Sequence, residues 1–215
     1  MDIMTIFSIL FQFVMKTVAK YKIDESHGLS HAFQILTQAN SIYESEVVKI
    51  PELKEHEKVI YIAAIVHDMC DDKYMNTKLG LDTIEQFLST IENFKLTQLE
   101  IKAIRNIINT MSYSKVKKNG FPELGEYQHA YHIVREADLL CAYDFDRCIL
   151  YHMHSMNTGI GNAFNDSKQL FDVRVFKHND DELFITDYSK KQSKILEPIA
   201  RERIEQWGKL LKKDL

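Results

Sequence analysis

Apolar residues recur along this chain at three- and four-residue intervals, the spacing that gives a helix one buried face. Residues 3–20 read as a first helix. The polar stretch KIDESHGLS (22–30) breaks the pattern, and Ser26 or Ser30 is placed to cap a second helix carrying His31, Ile35, Ala39 and Ile42. Pro51 stands where a first helical turn tolerates proline, and a third helix follows through VIYIAAIVHDM (59–69). Its middle is apolar on every side, which predicts a central position. Further helices are expected at 76–91, 97–111, 126–143 and 144–157. The segments 112–125 (SYSKVKKNGFPELG) and 158–168 (TGIGNAFNDSK) read as loops. An amphipathic closing helix is expected over 195–211, kinked or begun at Pro198. DVRVF (172–176) and ELFIT (182–186) give only weak strand signals. The pattern predicts an all-α, single-domain helical bundle over 1–215.

Composition agrees with that reading. The chain has 215 residues, enough for one sizeable core, and only seven Gly and three Pro to interrupt helices. A net charge of -4 provides no global basic field, so neither polymeric nucleic acid nor an anionic membrane is an expected partner. The apolar N-terminal run (1–15) has Asp2 where a signal peptide needs positive charge, and Gln12 and Lys16 interrupt it. A buried first helix is expected there, not a membrane anchor. Cys70, Cys141 and Cys148 are odd in number and form no CxxC, which fits a reducing, cytoplasmic setting.

The candidate chemistry lies in AAIVHDMCDDKY (63–74). An apolar helix runs straight into His67 and Asp68, and charge there costs desolvation unless something pairs with it. A divalent cation is an efficient partner, taking nitrogen from imidazole and oxygen from carboxylate. Asp71 is i+4 from His67 and shares its face if the helix continues. His27 and His31 are also i,i+4, and Asp138 interrupts the otherwise apolar HIVREADLLCAYD (132–144).

His31, His67-Asp68 and Asp138 stand in the order H…HD…D of the HD-domain metal-dependent phosphohydrolases, which this chain resembles. HGLSH resembles the family's H-D-x-x-H opening. HDMCDDKY looks like the H-D-x-x-D-x-K-[FY] of a bacterial-type branch acting on nucleotides and pyrophosphate bonds. INTMSYSK and READLLCA are similar to that branch's I-x-x-x-S-[FY]-x and D-A-D-R-L-D-A. The motif core spans 27–145, with a C-terminal helical extension over 146–215. Gln34, Leu139 and Cys141 depart from the pattern, replacing two arginines and an aspartate.

The resemblance implies an HD-type phosphohydrolase, a nucleotide pyrophosphatase or phosphatase. It implies one divalent cation on His31, His67, Asp68 and Asp138, with Mn²⁺ or Mg²⁺ favoured and Fe²⁺, Co²⁺ or Zn²⁺ also suited to mixed N/O ligands. The partner is a small phosphorylated substrate, a nucleotide. Asp68, Asp71, His27 and Lys73 are the candidate catalytic residues, with Lys73, His27 and Arg135 as substrate contacts. Arg135 is three residues before Asp138, on its face. Lys115, Lys117 and Lys118 lie on a segment that could close over an anion. A catalytically weakened binding protein and a two-iron oxygenase are the competing readings. For the latter, His129 and His132 sit about 180° and 240° round the helix from Asp138, off its face. His152 and His154 have no partner at ligand spacing, and Cys70 and Cys141 read as core.

Overall fold

The structure is a computed structural model and describes residues 3–91 and 95–212. Within them ten α-helices form a single all-α bundle, with no strand among the described residues. They are α1 (Ile3–Tyr21), α2 (Leu29–Glu46), α3 (Glu57–Val66), α4 (Thr77–Thr90), α5 (Gln98–Thr110), α6 (Tyr113–Asn119), α7 (Gln128–Cys141), α8 (Phe145–Ser155), α9 (Ile160–Val173) and α10 (Asp187–Leu210).

Helix α3 is the hub. Every residue from Val59 to Val66 is buried, as its all-round apolar sequence requires. It packs against α2, α5 and α7, while α2 also packs along α7. Helix α1 seats Ile6, Leu10, Val14 and Thr17 against the bundle. Among the described residues it alone has the length and composition to cross a membrane. Met1 and Asp2, part of the apolar run read from the sequence, lie outside the described residues. The C-terminal third joins the same core through Phe171, Phe176, Ala200 and Ile204.

Several boundaries differ from the sequence expectation, each for a local reason. Neither serine caps α2: Gly28 holds that position and makes no side-chain cap bond. Residues 51–56 form a 3₁₀ turn before α3, and α3 stops at Val66, so Asp71 lies beyond the helix. Helix α6 occupies part of the expected loop, started at Ser112 and ended by Gly120, whose φ of 74° makes it a helix terminator. Helix α9 occupies the other expected loop. Ala163, Ser167 and Phe171 are buried at i, i+4 and i+8, and that stripe outweighs the glycines at its start. The weak strand signals fall at the end of α9, in a 3₁₀ turn (175–177) and in the approach to α10. Helix α10 begins well before Pro198, capped by Thr186, and carries the proline internally.

Gly80 fixes how α4 meets the turn that follows α3. A Cβ added there would lie 2.7 Å from both Cα and Cβ of Cys70. Gly80→Ala is therefore expected to destabilise the protein by about 1–3 kcal/mol, overpacking exceeding the roughly 1 kcal/mol gained in helix propensity. Urea unfolding checks this; an unchanged or higher midpoint would show that the two segments separate freely.

Candidate metal centre

Three packed helices converge on one point. His31 comes from the first turn of α2, His67 caps the end of α3 with Asp68 next to it, and Asp138 comes from α7. His31, His67 and Asp138 offer donor atoms that all lie within 4.8 Å of one another. His31 Nε2 is 3.6 Å from Asp138 Oδ1, and His67 Nε2 is 4.0 Å from the same oxygen. Asp68 reaches both histidines through different oxygens, Oδ2 at 3.3 Å from His31 Nε2 and Oδ1 at 3.2 Å from His67 Nε2. Donors sharing one ion at bonds of about 2.0–2.3 Å stand about 3–4 Å apart, so this spacing fits a cation.

Hydrogen bonding points the same way. His67 Nδ1 donates to the Ala64 carbonyl at 2.9 Å, so Nε2 is the ring nitrogen that faces the cluster and would give up its proton to a cation. His67 Nε2 and Asp68 Oδ2 are buried without a hydrogen-bond partner. Buried polar atoms are normally satisfied, and a divalent ion would satisfy both at once. The C-terminal end of α3 adds its partial negative charge beside His67.

Charge is arranged accordingly. Burial works against the His67 cation, but Asp68, Asp138 and the Ala64 carbonyl outweigh it and lift its pKa to about 9. Burial, with Arg147 beside it, pushes His31 down to about 4 despite the two carboxylates. Burial also opposes ionisation of Asp68 and Asp138, yet the histidines hold both carboxyls well below the usual range. The cluster thus presents two carboxylates and a neutral His31.

Next to it lies a polar chain from the turn before α2 and the turn after α3. Lys73 Nζ donates to His27 Nε2 at 3.1 Å and to Asp71 Oδ2 at 3.2 Å. His27 Nδ1 is 2.7 Å from Ser26 Oγ and 3.1 Å from the Tyr74 hydroxyl, which also donates to Asp24. His27 therefore stands in a turn, not on the face of α2, with its ring centroid 6.2 Å from that of His31. Burial, Lys73 and Arg147 depress the His27 pKa, which leaves an uncharged imidazole at neutral pH. Lys73 remains charged: burial opposes it, and Asp71 and Asp68 more than compensate.

Arg135 is not brought to this site. Its guanidinium is buried against Glu136 at 3.1 Å and the Leu183 carbonyl, 4.7 Å from the Phe121 ring. Adjacent turns of α7 carry Arg135 and Asp138, but the long side chain is drawn towards the approach to α10. The lysines of α6 are engaged locally: Lys115 with the Asn109 carbonyl at 2.6 Å and Lys117 with Asp181 at 2.9 Å. Lys118 is exposed. His129 is exposed, and His132 hydrogen-bonds Gln128 at 3.1 Å. His152 is buried on the Cys148 carbonyl and Ser167, and His154 lies 3.4 Å from Asp24. Gln34 is exposed, while Leu139 and Cys141 are core residues, Cys141's thiol pushed up to about 12 by burial.

Sequence reasoning missed Arg147 and Tyr151. Arg147 Nη1 stands 3.3 Å from His31 Nε2. Tyr151 places its ring 5.4 Å from that of His27, and Lys73 Nζ lies 5.1 Å from the Tyr151 centroid. Asp144, which caps α8, was the available signal for Arg147 and Tyr151, since it fixes the register of that helix.

No family model and no curated protein matches this chain. A crystal structure of a protein from Lactobacillus plantarum is similar over 96% of this chain and 97% of that chain, with a TM-score of 0.67 and 19% identity. At that identity the likeness shows a shared fold.

Proposed function

We propose that this chain is a metal-dependent phosphohydrolase of the HD-domain type acting on a small phosphorylated metabolite, a nucleotide. The supporting observation is the convergence of His31, His67, Asp68 and Asp138 with His67 Nε2 and Asp68 Oδ2 buried and without a hydrogen bond. These residues would hold one divalent cation, Mn²⁺ or Mg²⁺ by their mixed N/O character. Such a cation supplies Lewis acidity, polarising a phosphoryl group and acidifying water.

The chain's own residues complete the reaction. Lys73 carries a partly buried positive charge beside the cluster, suited to a phosphoryl oxygen as it gains charge. His27, hydrogen-bonded on both ring nitrogens, holds Lys73 beside the cluster and is the nearby group suited to take up or release a proton there. Asp71 orients Lys73 through its side chain and accepts the Lys73 amide at 2.9 Å. His129 and His132 assemble no second donor set, which favours one ion over the two an oxygenase would need. The three free cysteines support a cytoplasmic, reducing setting.

The decisive experiment incubates the purified protein with a panel of nucleoside mono-, di- and triphosphates under Mn²⁺ and Mg²⁺, reading phosphate against pyrophosphate release. Metal-dependent turnover, abolished by EDTA and restored by Mn²⁺, is expected for at least one nucleotide. Tight nucleotide binding without release of either product would overturn the hydrolase reading in favour of a binding protein.

A further inference from the structure

The turn between α1 and α2 holds a carboxylate that the proposed hydrolysis leaves unused. The Asp24 side chain is only 7% exposed. Its Oδ1 accepts the Ser26 amide at 2.9 Å and also the Ser26 hydroxyl. Its Oδ2 accepts the Tyr74 hydroxyl, and Nδ1 of the exposed His154 ring stands 3.4 Å away. Burial opposes the Asp24 charge, yet the bonds from Ser26 and Tyr74 outweigh it and hold the carboxyl below its usual range. At neutral pH Asp24 is therefore an acceptor alone.

A hydroxyl has one proton to give. Ser26 and Tyr74 both spend theirs on Asp24, so each can offer His27 only a lone pair. His27 Nδ1 faces both oxygens, at 2.7 and 3.1 Å, and must therefore be the donor. The other ring nitrogen, Nε2, faces the Lys73 ammonium at 3.1 Å. An ammonium carries donors only, so Nε2 must accept. Both ends of the ring thus select one neutral tautomer, protonated on Nδ1. Lys73 also donates to Asp71 Oδ2 at 3.2 Å, so its charge is held from two sides. Were an acceptor on Asp24 lost, one hydroxyl would turn its proton towards Nδ1. The imidazole would then carry its own proton on Nε2 and point it at the ammonium, which has no lone pair to receive it.

We propose that Asp24 is a positioning residue: through Ser26 and Tyr74 it fixes His27 as the Nδ1–H tautomer, whose Nε2 lone pair holds the Lys73 ammonium beside the cluster. Among the described residues its side-chain partners are Ser26, Tyr74 and His154, so Asp24 reaches the site only through this chain of bonds. The consequence for phosphate rests on the phosphoryl role given above to Lys73; the tautomer does not.

Long-range proton–nitrogen spectra of the histidine rings in the full chain test the tautomer, with His27→Gln identifying the His27 signals. The unaltered protein is expected to show His27 protonated on Nδ1. Asp24→Asn keeps the shape but turns an amide donor towards one of the two hydroxyls, and should move His27 to the Nε2–H form or to a mixture. Calorimetry with inorganic phosphate at saturating Mn²⁺ reads the consequence. Asp24→Asn should weaken phosphate binding about two- to tenfold, the worth of one hydrogen bond. In a Lys73→Met background the same change should have no further effect, because the ammonium it positions is gone. His27 protonated on Nε2 in the unaltered protein, or a tautomer unmoved by Asp24→Asn, overturns the proposal. Phosphate binding that weakens equally with and without Lys73 also overturns it, and shows that Asp24 only braces the turn. Should Asp24→Asn fail to fold, the unaltered protein's spectrum still decides the tautomer. Ser26→Ala/Tyr74→Phe, which removes both acceptors of Nδ1, then takes its place and should weaken phosphate binding only while Lys73 is present. The spectra need no turnover, so a chain that hydrolyses no nucleotide would sink the hydrolase reading and leave the Asp24–His27 arrangement standing.

Discussion

Desalted after loading with Mn²⁺, the His67→Ala and Asp68→Ala variants are expected to retain no stoichiometric metal and to hydrolyse no nucleotide above background. His67 supplies the donor whose direction is most tightly fixed, since the Ala64 carbonyl holds the opposite ring nitrogen. Losing merely such a supporting partner costs about 10–100-fold in metal affinity, and losing the ligand itself must exceed that. Asp68 supplies negative charge to both histidines, so its loss removes a donor and also weakens the field that attracts a cation. Metal content by mass spectrometry is the primary readout, with circular dichroism confirming the fold. Full metal retention in either variant would sink the site. Arg135→Met serves as the contrasting change: it should leave metal content intact, because its guanidinium faces Glu136 and Leu183 instead.

Those outcomes bear on how much was readable from residues alone. The all-α class followed from periodicity, because α3 is apolar all round and α5 carries its isoleucines at helical spacing. Hydrophobic patterning reports which face a helix buries, and local context rarely overrides it in long segments. The short elements were harder. In α6 and α9, glycine and polar residues signal a loop, yet one glycine ends a helix and another precedes one. Deciding between those readings needs the burial of Val116, Ala163 and Phe171, which is a tertiary fact. The donor cluster was legible for a different reason. His67, Asp68 and Asp138 are polar interruptions of apolar helices, and such interruptions need partners. Arg147 follows Asp144 and Asp146 in a mixed polar stretch and interrupts nothing apolar, so no pattern marked it. Arg135 misled because helical spacing places a Cα on a face but does not say where a long side chain ends.

Glu136→Ala is expected to cost the fold about 3–5 kcal/mol by leaving a buried arginine without its counter-ion. Arg135 is 1% and Glu136 0% exposed, so neither has water to fall back on. Glu136 also accepts the Ile185 amide at 2.7 Å, the Thr186 amide at 3.2 Å and the Thr186 hydroxyl at 2.6 Å. These bonds tie α7 to the residues that cap α10, so the variant should unfold with α10 loosened first. Urea denaturation supplies the free energy, and hydrogen exchange at Ile185 and Ser189 reports the loosening. The double variant Arg135→Met/Glu136→Leu should be less damaging than Glu136→Ala alone, because it removes the charge that would be stranded. A loss under about 1 kcal/mol, below what even a single stranded polar group costs, would mean that water reaches the pair. In whatever fraction stays folded, Mn²⁺ affinity should be unchanged. The ion pair lies on the same helix as Asp138, but it fastens the C-terminal helix and does not touch the cluster.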